Sequence, residues 1–466
     1  MTNKLATSLT RHLKPIIKSI GCISVISFSS VLHANSLEQT IRVAVTNHPE
    51  VKAQIKEHAS RRDEEQKAFS RYLPQILITA GIGPENSDNN TTRSISGGGS
   101  ESLRREEAQV LVTQNLFDGF KMQNERAREQ ARIDSADFEL LEVAEDVAIR
   151  AVEAYIQVVE ANLIVKNSKN NLLAHQRIYD QIQIRVRSGA DNKANISQIR
   201  ARLALAGSNL ETSLNNLYDA ESQYYELVGI NPPTITNMPY FGYELPVDKT
   251  AAIQNALSNH PSVLAGRQEL RAQEFNVDAT KGDYYPTFFL ESGASWNQNL
   301  DGTEGNNHDA YIMLKMEYDL FQGGFTEASE RQAMSQFEKA RYQLDREMRE
   351  VRKNAEVAWN AYRSSENRTG FLKDYVASTK ETQKAYEQQF RIGQRSLLDV
   401  LDSENELLRA ENQLVQAQRE FTLAQYQVLR TQGNLLSSLD VQTPETEKLP
   451  EYTPPDRPFL NSEVNY

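Results

Sequence analysis

Two hydrophobic rhythms run along this chain. The first is helical. Ile133, Ala136, Leu140, Ala144, Val147, Ala151, Ala154 and Val158 step by three and four residues. Phe337, Ala340, Leu344, Met348, Val351, Ala355, Ala358 and Tyr362 repeat those steps 204 residues later. Such a row is a seam for packing against another helix. A second row (Leu141, Ala148, Val152, Val159, Leu163) flanks the first. The pattern therefore predicts a helix with a neighbour on each side, as in the wall of a tube. No proline occurs between Pro84 and Pro232 or between Pro286 and Pro444, which permits very long helices. One from about Phe120 to Ser188 would be roughly 100 Å long at 1.5 Å per residue. Another follows each of Gly189 and Gly393: Leu203, Leu210, Leu217 and Tyr224 recur by sevens, matched by Leu407, Leu414, Phe421 and Val428. Each half is expected to hold an antiparallel helical hairpin turning at Gly189 or Gly393.

The second rhythm has period two. Ile76, Ile78, Ala80 and Ile82 alternate with Gln75, Thr79 and Gly81. Val110, Val112 and Leu116 alternate with Gln109, Thr113 and Asn115. Phe288, Leu290, Ala294 and Trp296 alternate with Glu291, Gly293 and Ser295. Ile312, Leu314, Met316, Tyr318 and Leu320 alternate with Lys315, Glu317 and Asp319. Each run is about 10 residues, the length of a tilted membrane β-strand, and polar residues on one face suit lipid outside and water inside. A coiled-coil rod explains the heptads but not these four segments; a soluble β-domain is the competing explanation for the segments. Four strands cannot close a barrel in lipid, because their edges would stay unpaired. The strands therefore predict an oligomer in which several copies contribute to one barrel.

The chain also repeats itself. Asn47-His48-Pro49 returns as Asn259-His260-Pro261, and Tyr72-Leu73-Pro74 as Tyr284-Tyr285-Pro286, both offset by 212. Leu116-Phe117-Asp118-Gly119 returns as Leu320-Phe321-Gln322-Gly323, and Arg187-Ser188-Gly189 as Arg391-Ile392-Gly393, both offset by 204. One stretch between residues 84 and 108 is thus 8 residues longer than its partner. Polar residues from Glu85 to Arg105, with Gly97-Gly98-Gly99, and from Asn297 to Asn307 are expected as loops facing the exterior, where length varies freely. The resulting division is 1–34 a signal peptide, 35–230 a first repeat, 231–246 a linker, 247–439 a second repeat, and 440–466 a proline-rich tail. Strands are expected at about 73–83, 107–117, 286–296 and 309–321, and hairpins at about 120–228 and 324–438.

Composition narrows the function. Lys4, Arg11, Lys14 and Lys18 precede a short apolar run from Ile20 to Leu32, the pattern of a secretory leader. The single cysteine, Cys22, lies inside it, so the mature chain has no thiol for disulfides or metal ligation. The formal charge is −12, and removing the four leader bases leaves −16, which disfavours nucleic acid. Mean hydropathy is −0.59. After the leader no stretch of about 18 apolar residues offers a helical membrane span. The seven histidines form no catalytic or metal cluster with acids; His48 and His260 sit in Asn-His-Pro, which punctuates helices. No enzyme activity and no cofactor are expected. Asn90-Thr91-Thr92 fits a glycosylation sequon, a short pattern frequent by chance.

The order leader, short helices, strand, strand, long hairpin, then the same again, resembles the TolC-type outer-membrane factors over about residues 36–438. The Asn-His-Pro, Tyr-x-Pro and Leu-Phe-x-Gly motifs carry the resemblance. It implies an α+β membrane protein: a homotrimer with a 12-stranded outer-membrane β-barrel, four strands per chain, continued by a periplasmic α-helical barrel. The implied partners are a second and third copy of the chain, a periplasmic adaptor (membrane fusion) protein, an inner-membrane transporter of ABC type and outer-membrane lipid. In the segment from Phe390 to Asp402 the resemblance assigns Asp399 and Asp402 to the pore gate and cation selectivity, and Arg395 to locking it. Phe390 stands where a tyrosine is usual, so a hydroxyl bond is lost; Asn195 stands at the matching acidic position, so the lock is expected to be weaker. From spacing alone, Asp399 and Asp402 share a helix face one turn apart, and three copies around an axis would attract cations. The same spacing also suits a solvated face. The function implied is an export duct, with type I protein secretion expected ahead of small-molecule efflux. A periplasmic coiled-coil structural or adaptor protein is the alternative of another class.

Overall fold

The computed structural model describes residues 37–95, 99–233 and 237–443. The leader, Gly97, Gly98 and the tail beyond residue 443 lie outside them. The elements run α1 (Leu37–Asn47), α2 (Pro49–Ser70), β1 (Gln75–Ser87), α3 (Asn90–Ile95), β2 (Glu101–Phe117), α4 (Lys121–Arg187) and α5 (Lys193–Val228), then α6 (Lys249–Asn259), α7 (Pro261–Lys281), β3 (Thr287–Gln298), β4 (Asn306–Glu317), α8 (Phe325–Arg391), α9 (Leu397–Thr431) and α10 (Leu435–Ser438).

The strands form one antiparallel sheet in the order β1-β2-β3-β4. The register puts Ile78 opposite Val110, Val110 opposite Ala294, and Leu290 opposite Leu314, so the apolar positions of all four strands share one face. That face is open in the single chain: Ile78 is 71% exposed and Leu314 66%. The other face carries the polar positions, with Leu77, Leu111, Phe289 and Met313 among them. Lys315 and the Tyr311 hydroxyl both bond Glu291, at 2.5 and 2.8 Å, and Gly293 leaves room for the Tyr311 ring, which a Cβ would meet at 2.6 Å. Among the described residues both outer edges, β1 and β4, are unpaired.

The strand ends differ from expectation. β1 runs on to Ser87 and β2 begins at Glu101, with Ser87 opposite Glu101. The charged residues read as loop from Glu85 to Arg105 therefore belong partly to a longer hairpin, held by pairs such as Arg105–Glu85 and Arg105–Glu107. Only the tip remains a connection, and α3 docks it: Asn89 Nδ2 donates to the Asp301 carbonyl at 2.8 Å, and Thr92 is buried. The sequon threonine is thus a packing residue. At the other end, β4 stops at Glu317, so Leu320 and Phe321 are exposed connection.

The long helices α4 and α8 each span 67 residues. Every seam residue of α4 from Ile133 to Val158 is buried. In α5 the buried heptad is Ile199, Ala206, Ser213 and Ala220, and in α9 it is Ser403, Ala410, Ala417 and Ala424. The leucine row expected there is only half-buried apart from Tyr224 and Val428. Small residues win the seam because they let the backbones approach, as where Ser213 Oγ meets Ser168 Oγ at 2.8 Å. The periodicity of seven is common to both rows, so hydropathy alone points to the bulkier one.

His48 and His260 cap α2 and α7. Each Nδ1 accepts the backbone N–H two residues on, at 3.3 Å, and the following proline occupies the first helical position, where no N–H is needed. The main core surrounds the middle of α4. It takes in α1, α10, Tyr224 and Tyr426, and the region read as a linker packs on it through Met238, Phe241, Tyr243 and Leu245. Glu145 lies wholly inside, accepting the N–H groups of Leu435 and Leu436 at 3.2 and 3.0 Å. Burial raises its pKa to about 7. Near Glu142, burial and the Arg430 guanidinium lower His260 to about 4.

Candidate pore mouth at the hairpin turns

The two hairpins end in turns of the same construction. α4 stops at Ser188; Gly189 (φ 73°) donates to the Val186 carbonyl at 3.1 Å and Ala190 to that of Arg185 at 2.8 Å. α8 stops at Ile392; Gly393 (φ 79°) donates to Phe390 at 3.0 Å and Gln394 to Gln389 at 2.9 Å. Paired bonds of this kind, with a left-handed residue just past the last turn, satisfy orphan carbonyls and reverse the chain. Glycine is needed there because a Cβ is strained at positive φ. The returning helix is capped by Asn192 in the first turn and Ser396 in the second.

The chemistry of the turns is different. Asn192 Oδ1 accepts the Asn195 N–H at 3.0 Å, while the Asn195 amide donates to Asp191 Oδ1 at 2.6 Å. Asp191 in turn lies 3.8 Å from Arg185. At the second turn Ser396 and Asp399 form a reciprocal capping box: Ser396 Oγ accepts the Asp399 N–H at 3.2 Å, and Asp399 Oδ2 accepts the Ser396 N–H at 3.2 Å and its hydroxyl at 2.9 Å. These bonds of Asp399 are local, ending the turn and starting α9.

Arg395 keeps to its own hairpin. Its Nε donates to Gln389 Oε1 at 3.0 Å, its guanidinium lies 4.2 Å over the Tyr386 ring, and Asp399 is 3.9 Å away. Asn195 is engaged with Asp191 instead. What joins the hairpins is an arginine that spacing did not single out. Arg185 sits 4.9 Å over the Phe390 ring and donates to the Phe390 carbonyl at 3.4 Å. Phe390 itself is buried with Ile178, Ile182, Ile199, Leu397, Val400 and Leu401. Losing the tyrosine hydroxyl thus leaves an apolar, cation-covered contact rather than a gap. A second arginine, Arg202 of α5, reaches Asp402 of α9 at 3.3 Å. Both arginines were visible in the repeat: Arg185 aligns with Gln389, Asp191 with Arg395, and Arg202 with Glu406 at the offset of 204. Among the described residues no group of three or more His, Cys, Asp or Glu side chains is placed to hold a metal ion.

Comparison with known proteins matches residues 40–230 and 252–434 to the outer membrane efflux protein family. The chain belongs to that family. It is 27% identical to the outer membrane efflux protein BepC of Brucella suis biovar 1 (strain 1330), over 79% of this chain and 78% of that one. It is 24% identical to the outer membrane protein TolC of Escherichia coli (strain K12), over 85% and 81%. It is 23% identical to the alkaline protease secretion protein AprF of Pseudomonas aeruginosa, over 78% and 77%. The solved structure of the outer-membrane channel OprN superposes with a TM-score of 0.73 at 16% identity, covering 85% of this chain and 89% of that one. An outer membrane efflux protein resides in the outer membrane, and these homologues are channels rather than enzymes. No described helix is long and apolar enough to cross a membrane; the exposed apolar face of the sheet is the lipid-compatible surface of this fold.

Proposed function

We propose that this chain is the outer-membrane exit duct of a tripartite export machine, working as a homotrimer whose twelve strands close one barrel. The observation that carries the reading is the four-stranded sheet. It exposes an apolar face and leaves both edges unpaired, and in lipid such edges must be satisfied by neighbouring strands. The long hairpins extend the barrel into the periplasm as a tunnel, and their turns form its mouth. There Asp399 and Asp402 face the passing substrate and ions. Gly189 and Gly393 fix the turns; Phe390, Arg395 and Asn195 hold the mouth in its resting form. The duct receives substrate from an inner-membrane transporter of ABC type through a periplasmic adaptor.

Type I protein secretion is the branch favoured here, supported by the similarity to a protein named for alkaline protease secretion. The similarity to BepC, named for efflux, supports small-molecule export as the second reading. Deleting the gene in its host separates them. Loss of a large protein from the culture medium with unchanged drug susceptibility is the expected result. Sensitisation to drugs without a change in secreted protein would put efflux in its place, and no change in either would sink the duct.

A further inference from the structure

Every aspartate at the candidate mouth has an arginine of the same chain beside it. Asp402 Oδ1 is 3.3 Å from Arg202 Nη2, and Asp399 Oδ2 is 3.9 Å from Arg395 Nη1 while also bonded to Ser396. The two pairs differ. The Arg395 guanidinium is stacked on Tyr386 and spends its Nε on Gln389, whereas Arg202 comes from the other hairpin. Both members of the Arg202–Asp402 pair are partly open to solvent, at 33% and 59%. An ion within about 10 Å, the screening length near 0.1 M salt, feels both charges, and at distances well beyond their 3.3 Å separation it responds to their sum. That sum is zero. The repeat offers no second copy of this device, because the position matching Arg202 is Glu406, which accepts from the Tyr375 hydroxyl at 3.3 Å.

We propose that Arg202 is a selectivity-setting residue: it masks Asp402, so that the mouth attracts cations less than its carboxylates alone would make it do. The proposal rests on the reading that Asp399 and Asp402 face the conduction path. In an assembly of three it withholds three negative charges, and removing it exposes them. Arg202 and Asp402 then act as one unit whose effects cancel, the signature of a coupled pair.

The test is the K⁺/Cl⁻ permeability ratio of single channels in planar bilayers, with block by hexaamminecobalt(III) from the periplasmic side. Arg202→Gln is expected to raise the ratio roughly two-fold and to strengthen the block, since close like charges act in a narrow passage. Asp402→Asn should lower the ratio. The double variant should return to the wild-type value, and Arg202→Lys, which keeps the charge, should stay there. Arg202→Gln at the wild-type value beside a lowered Asp402→Asn would overturn the masking role while leaving the mouth assignment intact. If Asp399→Asn and Asp402→Asn both leave the ratio unchanged, the mouth is elsewhere, and the reading and the proposal fall together. Asparagine is used at 399 because alanine would also remove the cap of α9.

Discussion

Helices α4 and α8 occupy equivalent places in the two repeats and have the same length of 67 residues, yet α4 buries 25 of its residues and α8 only 10. α4 has neighbours on both sides, with α2 and α5 on one and α7 and α9 on the other. α8 packs on one side and leaves Tyr342, Val357 and Phe371 open, Phe371 at 76%. These three recur after 15 and 14 residues, near whole turns of a 3.6-residue helix, so they share a face. The aligned seam is core in both repeats, with Ala340, Val351, Ala355 and Ala358 buried in α8; the difference lies on the flank, where α8 carries apolar residues at the positions of Phe138, Glu153 and Asn167 of α4. The turns repeat the lesson with charges. Position for position, Asp191 is exchanged for Arg395, Arg202 for Glu406 and Asn195 for Asp399. Duplication supplied the frame, and divergence between the copies supplied the asymmetry.

The comparison can be broken most forcefully at the two flanks. Val357→Glu combined with Phe371→Glu is expected to abolish the proposed trimer while the protomer keeps its helices, because each loses about 1.5–3 kcal/mol of burial and would bring a charge into an interface. Val147→Glu on α4 is expected instead to unfold the protomer. Mass measurement in detergent and circular dichroism read the two; a double variant that remains trimeric would mean that α8's open stripe is not the flank used in assembly.

The middles of the helices differ next. Glu145 is buried and raised to about 7, while its counterpart Arg349 is exposed. An acid with a raised folded pKa gives the fold stability that is fully present below the unfolded value of 4.5 and is lost as pH rises through about 7. Ionisation at neutral pH is therefore costly, on the order of 3 kcal/mol for a shift of this size. Glu145→Gln should make the protein less sensitive to pH between 4.5 and 7, the wild type losing ground to the variant as pH rises. Thermal midpoints that run parallel across this window would show that Glu145 does not titrate there.

The smallest effect is at the caps. Ser396→Ala removes a reciprocal capping box and Asn192→Ala a single bond from the cap side chain, so the first should cost about 1 kcal/mol and the second no more than that. Hydrogen exchange in the first turns of α9 and α5 measures both. Greater loss of protection at α5 would reverse the assignment of the sturdier turn.

Sequence alone determined much of this protein. Hydrophobic period, proline spacing and the two turn glycines specify helices, strands and hairpins because they act locally: a proline forbids a helical bond and a glycine permits a left-handed turn wherever the chain goes. The repeat offsets then fix the order of elements, and the alternation in four strands assigns a lipid-compatible face. Tertiary structure alone decided which heptad row is buried. Ala206 and Ala410 fill the seams ahead of the neighbouring leucines because close backbone approach, not hydropathy, selects the residue there. It also decided that Glu145 lies against α10, that Phe390 is covered by Arg185, and that Arg202 meets Asp402, pairs separated by 290, 205 and 200 residues. Such contacts depend on how two hairpins lie against each other. Periodicity says which face of a helix is apolar, but the partner across a distant ion pair is set only when the helices pack.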